Sequence, residues 1–148
     1  MSVICFLTFL VYLPSFTSFL SLFQFEYVNL TSMTDVHCLR CLVVRSLGQN
    51  AAADLMIKTD GCAGTKNVVR SLEHVQVIVT LSASQRGRVE LSLTSPSGTR
   101  QILLARRHVD VSSQGLNNWV LMTVHCWGED PRGDWTLTVS TTSTSGAY

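Results

Sequence analysis

Between residues 74 and 139, apolar and polar side chains alternate along the chain with a period of two. Because successive side chains of a β-strand point to opposite faces of a sheet, this alternation predicts half-buried strands. It occurs in residues 74–81, 89–94, 119–127 and 134–139, and residues 99–105 are predicted as a further strand between them. Within residues 119–127 it predicts an apolar face made of Val120, Met122, Val124 and Cys126.

Turn-forming residues separate these predicted strands. Gly87 occupies a hairpin position that favours a residue tolerant of positive φ. Pro96 suits the second position, and Gly98 the fourth position, of a type I turn. Residues 106–118 form the one long connection. Short strands at regular spacing, separated by Gly/Pro turns, predict an all-β fold, an antiparallel β-sandwich or jelly roll.

The first 33 residues form a separate hydrophobic segment. The apolar run of residues 3–13 ends at Pro14, so it is shorter than the about 20 residues of a membrane-spanning helix. Its length suits the hydrophobic region of a secretory signal peptide, although no basic side chain precedes it. Two interpretations stay open: a signal-like or membrane-targeting segment, with membrane contact through residues 1–25, and a non-native N-terminus. The sequon at Asn29 is a glycosylation candidate.

Residues 34–61 are predicted to be a linker, or part of an upstream region, between this segment and the domain at residues 62–148. A weakly helical stretch is predicted over residues 50–56, which contain three consecutive alanines. Cys38 and Cys41 form a Cys-x-x-Cys pair, which fits half of a zinc site, a redox pair, a structural disulfide or free thiols. Because the chain has five cysteines, at least one thiol stays unpaired or pairs outside this chain.

The charge balance excludes one class of function. The chain carries 11 Lys and Arg against 10 Asp and Glu, a formal net charge of +1. Binding of nucleic acid needs a clear basic excess or patch, and a net charge of +1 gives no electrostatic case for it. We therefore expect no nucleic-acid partner.

Two groups of residues are candidates for binding. Glu129, Asp130 and Asp134 fall in one acidic turn and are candidate calcium ligands, because Ca²⁺ prefers hard oxygen ligands. In residues 119–127, Trp119 and Trp127 are predicted on the face opposite Met122, where they are candidates for a docking surface.

A longer ordered set of residues extends across residues 62–139. It comprises Cys62, Ser71-Leu72-Glu73-His74-Val75, Arg86-Gly87, Leu93-Thr94-Ser95-Pro96-Ser97-Gly98-Thr99, Leu103-Leu104-Ala105-x-Arg107, Asp110-x-Ser112-x-x-Gly115-x-x-Asn118-Trp119, Met122-Thr123-Val124-His125-Cys126-Trp127-Gly128-Glu129 and Pro131-x-Gly133-x-Trp135-x-Leu137. With these residues the chain resembles the P domain, also called the Homo B domain, of kexin- and furin-type proprotein convertases.

The resemblance implies a specific role. In that family the P domain is a β jelly roll that packs beside a calcium-dependent, subtilisin-like serine endopeptidase domain and stabilises it without donating a catalytic residue. The family cleaves precursor proteins after paired basic residues. The expected partner is therefore a subtilisin-like catalytic domain in a full-length protein, and calcium is expected for the parent protease, with no cofactor in this chain. The expected location is the secretory pathway (Golgi, secretory vesicle or extracellular) or a membrane.

The chain departs from the family's pattern in several ways. The protease motifs Asp-[Ser/Thr]-Gly, His-Gly-Thr and Gly-Thr-Ser-x-Ala do not occur in the 148 residues, so we assign no catalytic residue. Arg88 stands where the family commonly has Asp, and Leu116 and Leu121 replace the usual aromatic residues. The family's final strand is expected beyond Tyr148, so the jelly roll is expected to be incomplete at its C-terminus, with an unpaired sheet edge.

The resemblance also implies a disulfide partner for Cys62. The family places that partner at about the distance of Cys38 or Cys41, so the expected pair is Cys38–Cys62 or Cys41–Cys62, in an oxidising compartment. As the alternative to a convertase fragment, the sequence allows a stand-alone secreted β-sandwich that binds protein or carbohydrate through Trp119 and Trp127.

Overall fold

A computed structural model of the chain describes residues 4–12, 50–66 and 68–142. These residues contain seven β-strands and no α-helix, so the predicted all-β fold is confirmed. The strands are β1 (Ile4–Tyr12), β2 (Ala52–Thr59), β3 (His74–Ser82), β4 (Val89–Thr94), β5 (Arg100–Leu104), β6 (Leu116–Thr123) and β7 (Gly133–Thr141).

The strands form two sheets. A three-stranded sheet has the order β1-β3-β6, and a four-stranded sheet has the order β2-β7-β4-β5. All pairs are antiparallel except β1 and β3, which run parallel from Ile4 opposite His74 to Tyr12 opposite Ser82. The backbone of the first apolar run therefore lies beside β3. Its interpretation as a targeting segment stays a prediction.

The core lies between the two sheets. From β3, the side chains of Val75, Val77 and Val79 are fully buried, as the alternation predicts. They pack in one cluster with Leu91 and Leu93 of β4 and with apolar residues of β7. Burial of one such side chain contributes about 1.5–3 kcal/mol, so this cluster is the main source of stability.

Trp135 of β7 is the largest fully buried side chain among the described residues. Its indole N–H donates a hydrogen bond of 2.9 Å to the backbone oxygen of Pro131. Because a buried polar group is costly without a partner, this bond allows the whole indole to enter the core.

The helical prediction for residues 50–56 is wrong, because these residues contribute to strand β2. This strand pairs with β7 from Ala52 opposite Ser140 to Thr59 opposite Gly133, and Leu55 and Ile57 enter the core. The alanines favour a helix locally, but burial and cross-strand pairing outweigh that propensity. Strand β2 also places residues 52–59 inside the sandwich, upstream of the domain boundary predicted at residue 62.

The predicted strand over residues 119–127 is partly wrong. Strand β6 begins at Leu116 and ends at Thr123, and residues 124–127 form a turn in which the Trp127 N–H donates to the Val124 oxygen at 3.1 Å. Because Thr123 and Leu121 lie opposite core residues of β3, they share the inward face.

The apolar face predicted for this segment is therefore on the wrong side of the strand. Val120 and Met122 are exposed on the outward face, and Val124 is exposed in the turn. Because side chains alternate between the two faces of a strand, an assignment that is wrong by one residue places every side chain on the opposite face, which explains the error. Cys126 is buried in the core as predicted, but it lies in the turn that follows β6 and not on the strand.

The turn at residues 95–98 agrees with the prediction. The Gly98 N–H donates to the Ser95 oxygen at 2.9 Å, and Gly98 has a φ of +89°. No helix in the described part of the chain is long and apolar enough to cross a membrane.

Candidate functional site

A group of charged and aromatic side chains lies where a short 3-10 turn, Arg86–Arg88, meets the loop between β5 and β6. It consists of Arg86, Arg107, Asp110 and Trp119, which we call the arginine–tryptophan cluster. Three backbone hydrogen bonds hold turn and loop together. They are Arg107 N–H to Gly87 oxygen at 2.7 Å, Gly87 N–H to Asp110 oxygen at 3.1 Å and Arg86 N–H to Ser112 oxygen at 2.9 Å.

Gly87 allows the turn and the loop to approach this closely. A Cβ at this position would lie 2.1 Å from the Arg107 oxygen and 2.4 Å from the Asp110 oxygen. Gly87 is not among the residues with positive φ, so the prediction that it serves a positive-φ turn is wrong. The glycine is required here because there is no room for a side chain.

Asp110 joins the two guanidinium groups. The Arg86 Nε donates to its two carboxylate oxygens at 3.0 and 2.8 Å, and the Arg107 Nε and Nη2 donate to Oδ2 at 3.3 and 3.0 Å. The Ser112 N–H donates to Oδ1 at 3.3 Å. The hydrogen bond from Arg86 is the largest cause that holds the pKa of Asp110 below its ordinary value. Those from Arg107 and Ser112 act in the same direction, against the opposing effect of burial.

Trp119 lies beside both arginines. The guanidinium carbon of Arg86 is 5.3 Å from the centre of the indole ring, and that of Arg107 is 6.0 Å from it. These distances are in the range of cation–π attraction. The indole remains 37% exposed, so the cluster is accessible from solvent.

Trp127 lies elsewhere. It packs edge-on against His74 with the ring centres 6.0 Å apart, while Trp119 lies opposite Val79. His74 and Val79 are separated by about 17 Å along β3, at a rise of about 3.3 Å per residue. The two tryptophans therefore do not share the face of one strand, and a docking role for either of them stays a prediction.

The three candidate calcium ligands do not converge. The Thr99 hydroxyl donates to Glu129, and Asp130 pairs with Arg132. Hydrogen bonds from Arg132 are the largest cause that lowers the pKa of Asp130 to about 2. Asp134 is exposed on β7, opposite Lys58 of β2.

Within residues 50–66 and 68–142, no three His, Cys, Asp or Glu side chains form a group that could hold a metal ion. The predicted calcium grouping is therefore not formed there, because Arg132 occupies one carboxylate and strand alternation directs another to the outer surface.

In residues 50–66 and 68–142, the two cysteines, Cys62 and Cys126, differ in their chemistry. Cys62 is disulfide-bonded. Its candidate partners, Cys38 and Cys41, lie outside the described residues, as does Asn29, so the pairing stays a prediction. Cys126 is free and buried. Burial is the main cause that raises the pKa of its thiol, which makes it a poor nucleophile.

The sequence did not predict the arginine–tryptophan cluster as a unit. Its members come from a turn, a loop and a strand, and no spacing rule connects them. One signal was present in the sequence: residues 86–110 contain five arginines and two acidic residues, although the whole chain is nearly neutral. Such a concentration of arginine marks a local basic surface even where the net charge is small.

Comparisons with known proteins identify relatives of the chain. The family model described as "Proprotein convertase P-domain" matches residues 72–147. Human proprotein convertase subtilisin/kexin type 4 is 60% identical over 76 residues, which are 51% of this chain and 10% of the relative. Mouse neuroendocrine convertase 2 is 51% identical over 84 residues, 56% of this chain and 13% of the relative.

The chain thus matches a small fraction of each relative's length. A solved structure, the serine protease of Aeromonas sobria, has a TM-score of 0.46 and 23% sequence identity to the chain, over 68% of this chain and 22% of that protein.

Proposed function

Because the chain belongs to the proprotein convertase P-domain family, we propose that its β-sandwich acts as the P domain of a subtilisin/kexin-like proprotein convertase. The match over residues 72–147 carries this proposal, since it extends from just before β3 into and beyond β7 and so includes strands of both sheets. In this role the domain is non-catalytic and stabilises an adjoining subtilisin-like serine endopeptidase domain that processes precursors after basic residues.

Features of the described surface support a docked role. Val120 and Met122 are exposed on the outer face of β6, and Trp127 is exposed in the turn that follows. Exposed apolar side chains of this kind are typical of a surface that another domain covers. The proposed partner is the protease domain of the same full-length protein, and calcium belongs to that domain in the proposal.

The disulfide at Cys62 supports a location in the secretory pathway. Disulfides form and persist in oxidising compartments and are rare in the cytosol. The disulfide at Cys62 is therefore consistent with the compartment in which convertases act.

A domain exchange tests the proposal. The matching segment of human proprotein convertase subtilisin/kexin type 4 is replaced by residues 72–147 of this chain, and the chimera is expressed in a secretory host. Secreted activity on a substrate with paired basic residues is measured. We expect the chimera to be secreted and active, because the exchanged segment supplies strands β3 to β7, which contribute most of the core.

The matched control is the same chimera with Trp135→Ala, which removes the largest core side chain and is expected to abolish secretion of active protease. A chimera that is secreted in amounts equal to the parent but has no activity would contradict the proposed role. Cooperative melting of the chain alone, together with failure of the chimera, would favour the stand-alone binding module instead.

A further inference from the structure

The arginine–tryptophan cluster carries an excess positive charge in a partly enclosed position. Two guanidinium groups share the single carboxylate of Asp110, so the cluster has a net charge of +1. The side chains of Arg86 and Arg107 are only 26% and 30% exposed. Because water screens such charges less than fully exposed ones, the excess charge favours an anion at this position.

The cluster also contains hydrogen-bond donors that Asp110 does not use. The Arg107 Nη1 is buried and has no hydrogen-bond partner among the described residues. The Arg86 guanidinium reaches Asp110 through Nε, so its two terminal amino groups are not engaged by that carboxylate. The carboxylate of Asp110 therefore leaves N–H donors of both arginines unused.

The neighbouring charged residues do not supply a second acceptor. The other acidic residue of this region, Glu90, faces Arg106 at 4.0 Å, and Arg106 also donates to Ser140 of β7. Arg100 donates to Ser92 and so points to the four-stranded sheet. Arg88, in the same turn as Arg86, adds a further positive charge. The local balance thus remains cationic.

We propose that the arginine–tryptophan cluster binds a carboxylate from an acidic segment of a partner polypeptide. The two terminal amino groups of Arg86 supply paired N–H donors for the planar carboxylate, because only its Nε bonds to Asp110. The charge of Arg107 adds to the attraction, and the exposed face of Trp119 packs against the aliphatic part of the bound segment. Arginine suits this geometry because its planar fork matches a carboxylate.

The observations favour an acidic peptide over a sulfated polysaccharide. A polysulfated chain needs a long basic track, whereas the whole sequence has a net charge of only +1 and the cluster offers one compact position. This inference goes beyond the proposed P-domain role, which requires no anion at this position.

Calorimetric titration of the full chain at low ionic strength tests the inference. The probe is an acetylated, amidated tetraglutamate peptide, with tetraglutamine as the uncharged control. We expect saturable binding of tetraglutamate alone. Arg86→Gln is expected to weaken it by about tenfold or more, the loss typical of one charged hydrogen-bonded contact. Arg107→Gln removes the excess positive charge of the cluster and is expected to weaken it as well.

Arg100→Gln is the matched control, because it removes the same charge from a position outside the cluster, and it is expected to leave binding unchanged. Arg86→Lys keeps the charge but loses the planar fork, so it is expected to weaken binding too, and it serves as the test if Arg86→Gln does not fold. Near-ultraviolet circular dichroism monitors folding of each variant.

Three outcomes would overturn the inference. The first is no saturable binding of tetraglutamate to the folded chain. The second is an equal loss in Arg100→Gln, which would show attraction by net charge alone. The third is binding of a heparin-derived oligosaccharide, with the same dependence on Arg86 and Arg107, in the absence of tetraglutamate binding, which would assign a sulfated polysaccharide as the ligand.

Discussion

Replacement of Gly87 by alanine tests whether close backbone packing holds the turn Arg86–Arg88 against the loop between β5 and β6. The added methyl group would lie 2.1 Å from the Arg107 oxygen and 2.4 Å from the Asp110 oxygen. Both are backbone atoms, so no side-chain rotation relieves the overlap. Turn and loop must separate, which breaks the hydrogen bonds of 2.7 and 3.1 Å that join Gly87 to the same two residues.

The magnitude follows from these two effects. Overpacking in a tightly packed site costs about 1–3 kcal/mol, and each lost hydrogen bond costs about 1 kcal/mol, so we expect the free energy of unfolding to fall by about 3–5 kcal/mol. Urea unfolding of the chain, followed by tryptophan fluorescence, measures this change.

Gly98→Ala is the matched control. A Cβ there meets nothing within 4 Å, although the φ of +89° is unfavourable for alanine. It is therefore expected to cost only about 1–2 kcal/mol, the backbone penalty alone. A Gly87→Ala variant that is no less stable than Gly98→Ala would refute the argument from close packing.

Three further changes test other parts of the structure. Trp135→Phe is expected to lower the free energy of unfolding by about 1–3 kcal/mol, because it leaves the buried Pro131 oxygen without its donor; urea unfolding measures it, and an unchanged midpoint would contradict this role. Asp110 has a lowered pKa, so its pairing stabilises the folded chain fully above pH about 4 and is lost as the pH falls through the native pKa. The stability difference between wild type and Asp110→Asn is thus expected to shrink on acidification in urea titrations across that range, and a difference that grows would contradict it. The buried Cys126 thiol, with its raised pKa, is expected to react with iodoacetamide only after unfolding; mass spectrometry of native and urea-treated samples checks this, and rapid labelling of the folded chain would show that the thiol is accessible.

The alternation of apolar and polar residues predicted the buried face correctly where only the face toward the core is apolar. This holds for β3, in which every second residue is a buried valine or leucine. It failed in β6, because Val120 and Met122 are apolar on the outward face, and apolar character alone does not distinguish a core from a docking surface. The strand β2 was not predicted either, because its alanines favour a helix locally and the strand forms only through pairing with β7.

The arginine–tryptophan cluster was beyond prediction for a different reason. Its geometry depends on the loop between β5 and β6, and no local pattern specifies where a long loop places its side chains. The resemblance included Arg86, Arg107, Asp110 and Trp119 as separate residues, but only the folded chain shows that two guanidinium groups share one carboxylate beside one indole.

Stability and binding at this cluster rest on different atoms, and this difference separates a structural role from a recognition role. Asp110 accepts hydrogen bonds from both guanidinium groups. Together with the backbone contacts of Gly87, these bonds hold the turn Arg86–Arg88 against the loop between β5 and β6. The terminal amino groups of Arg86 do not bond to Asp110. One guanidinium is enough to neutralise the charge of one carboxylate. The second guanidinium leaves a positive charge that the described residues do not neutralise, and this excess is the physical reason to look for an acidic partner.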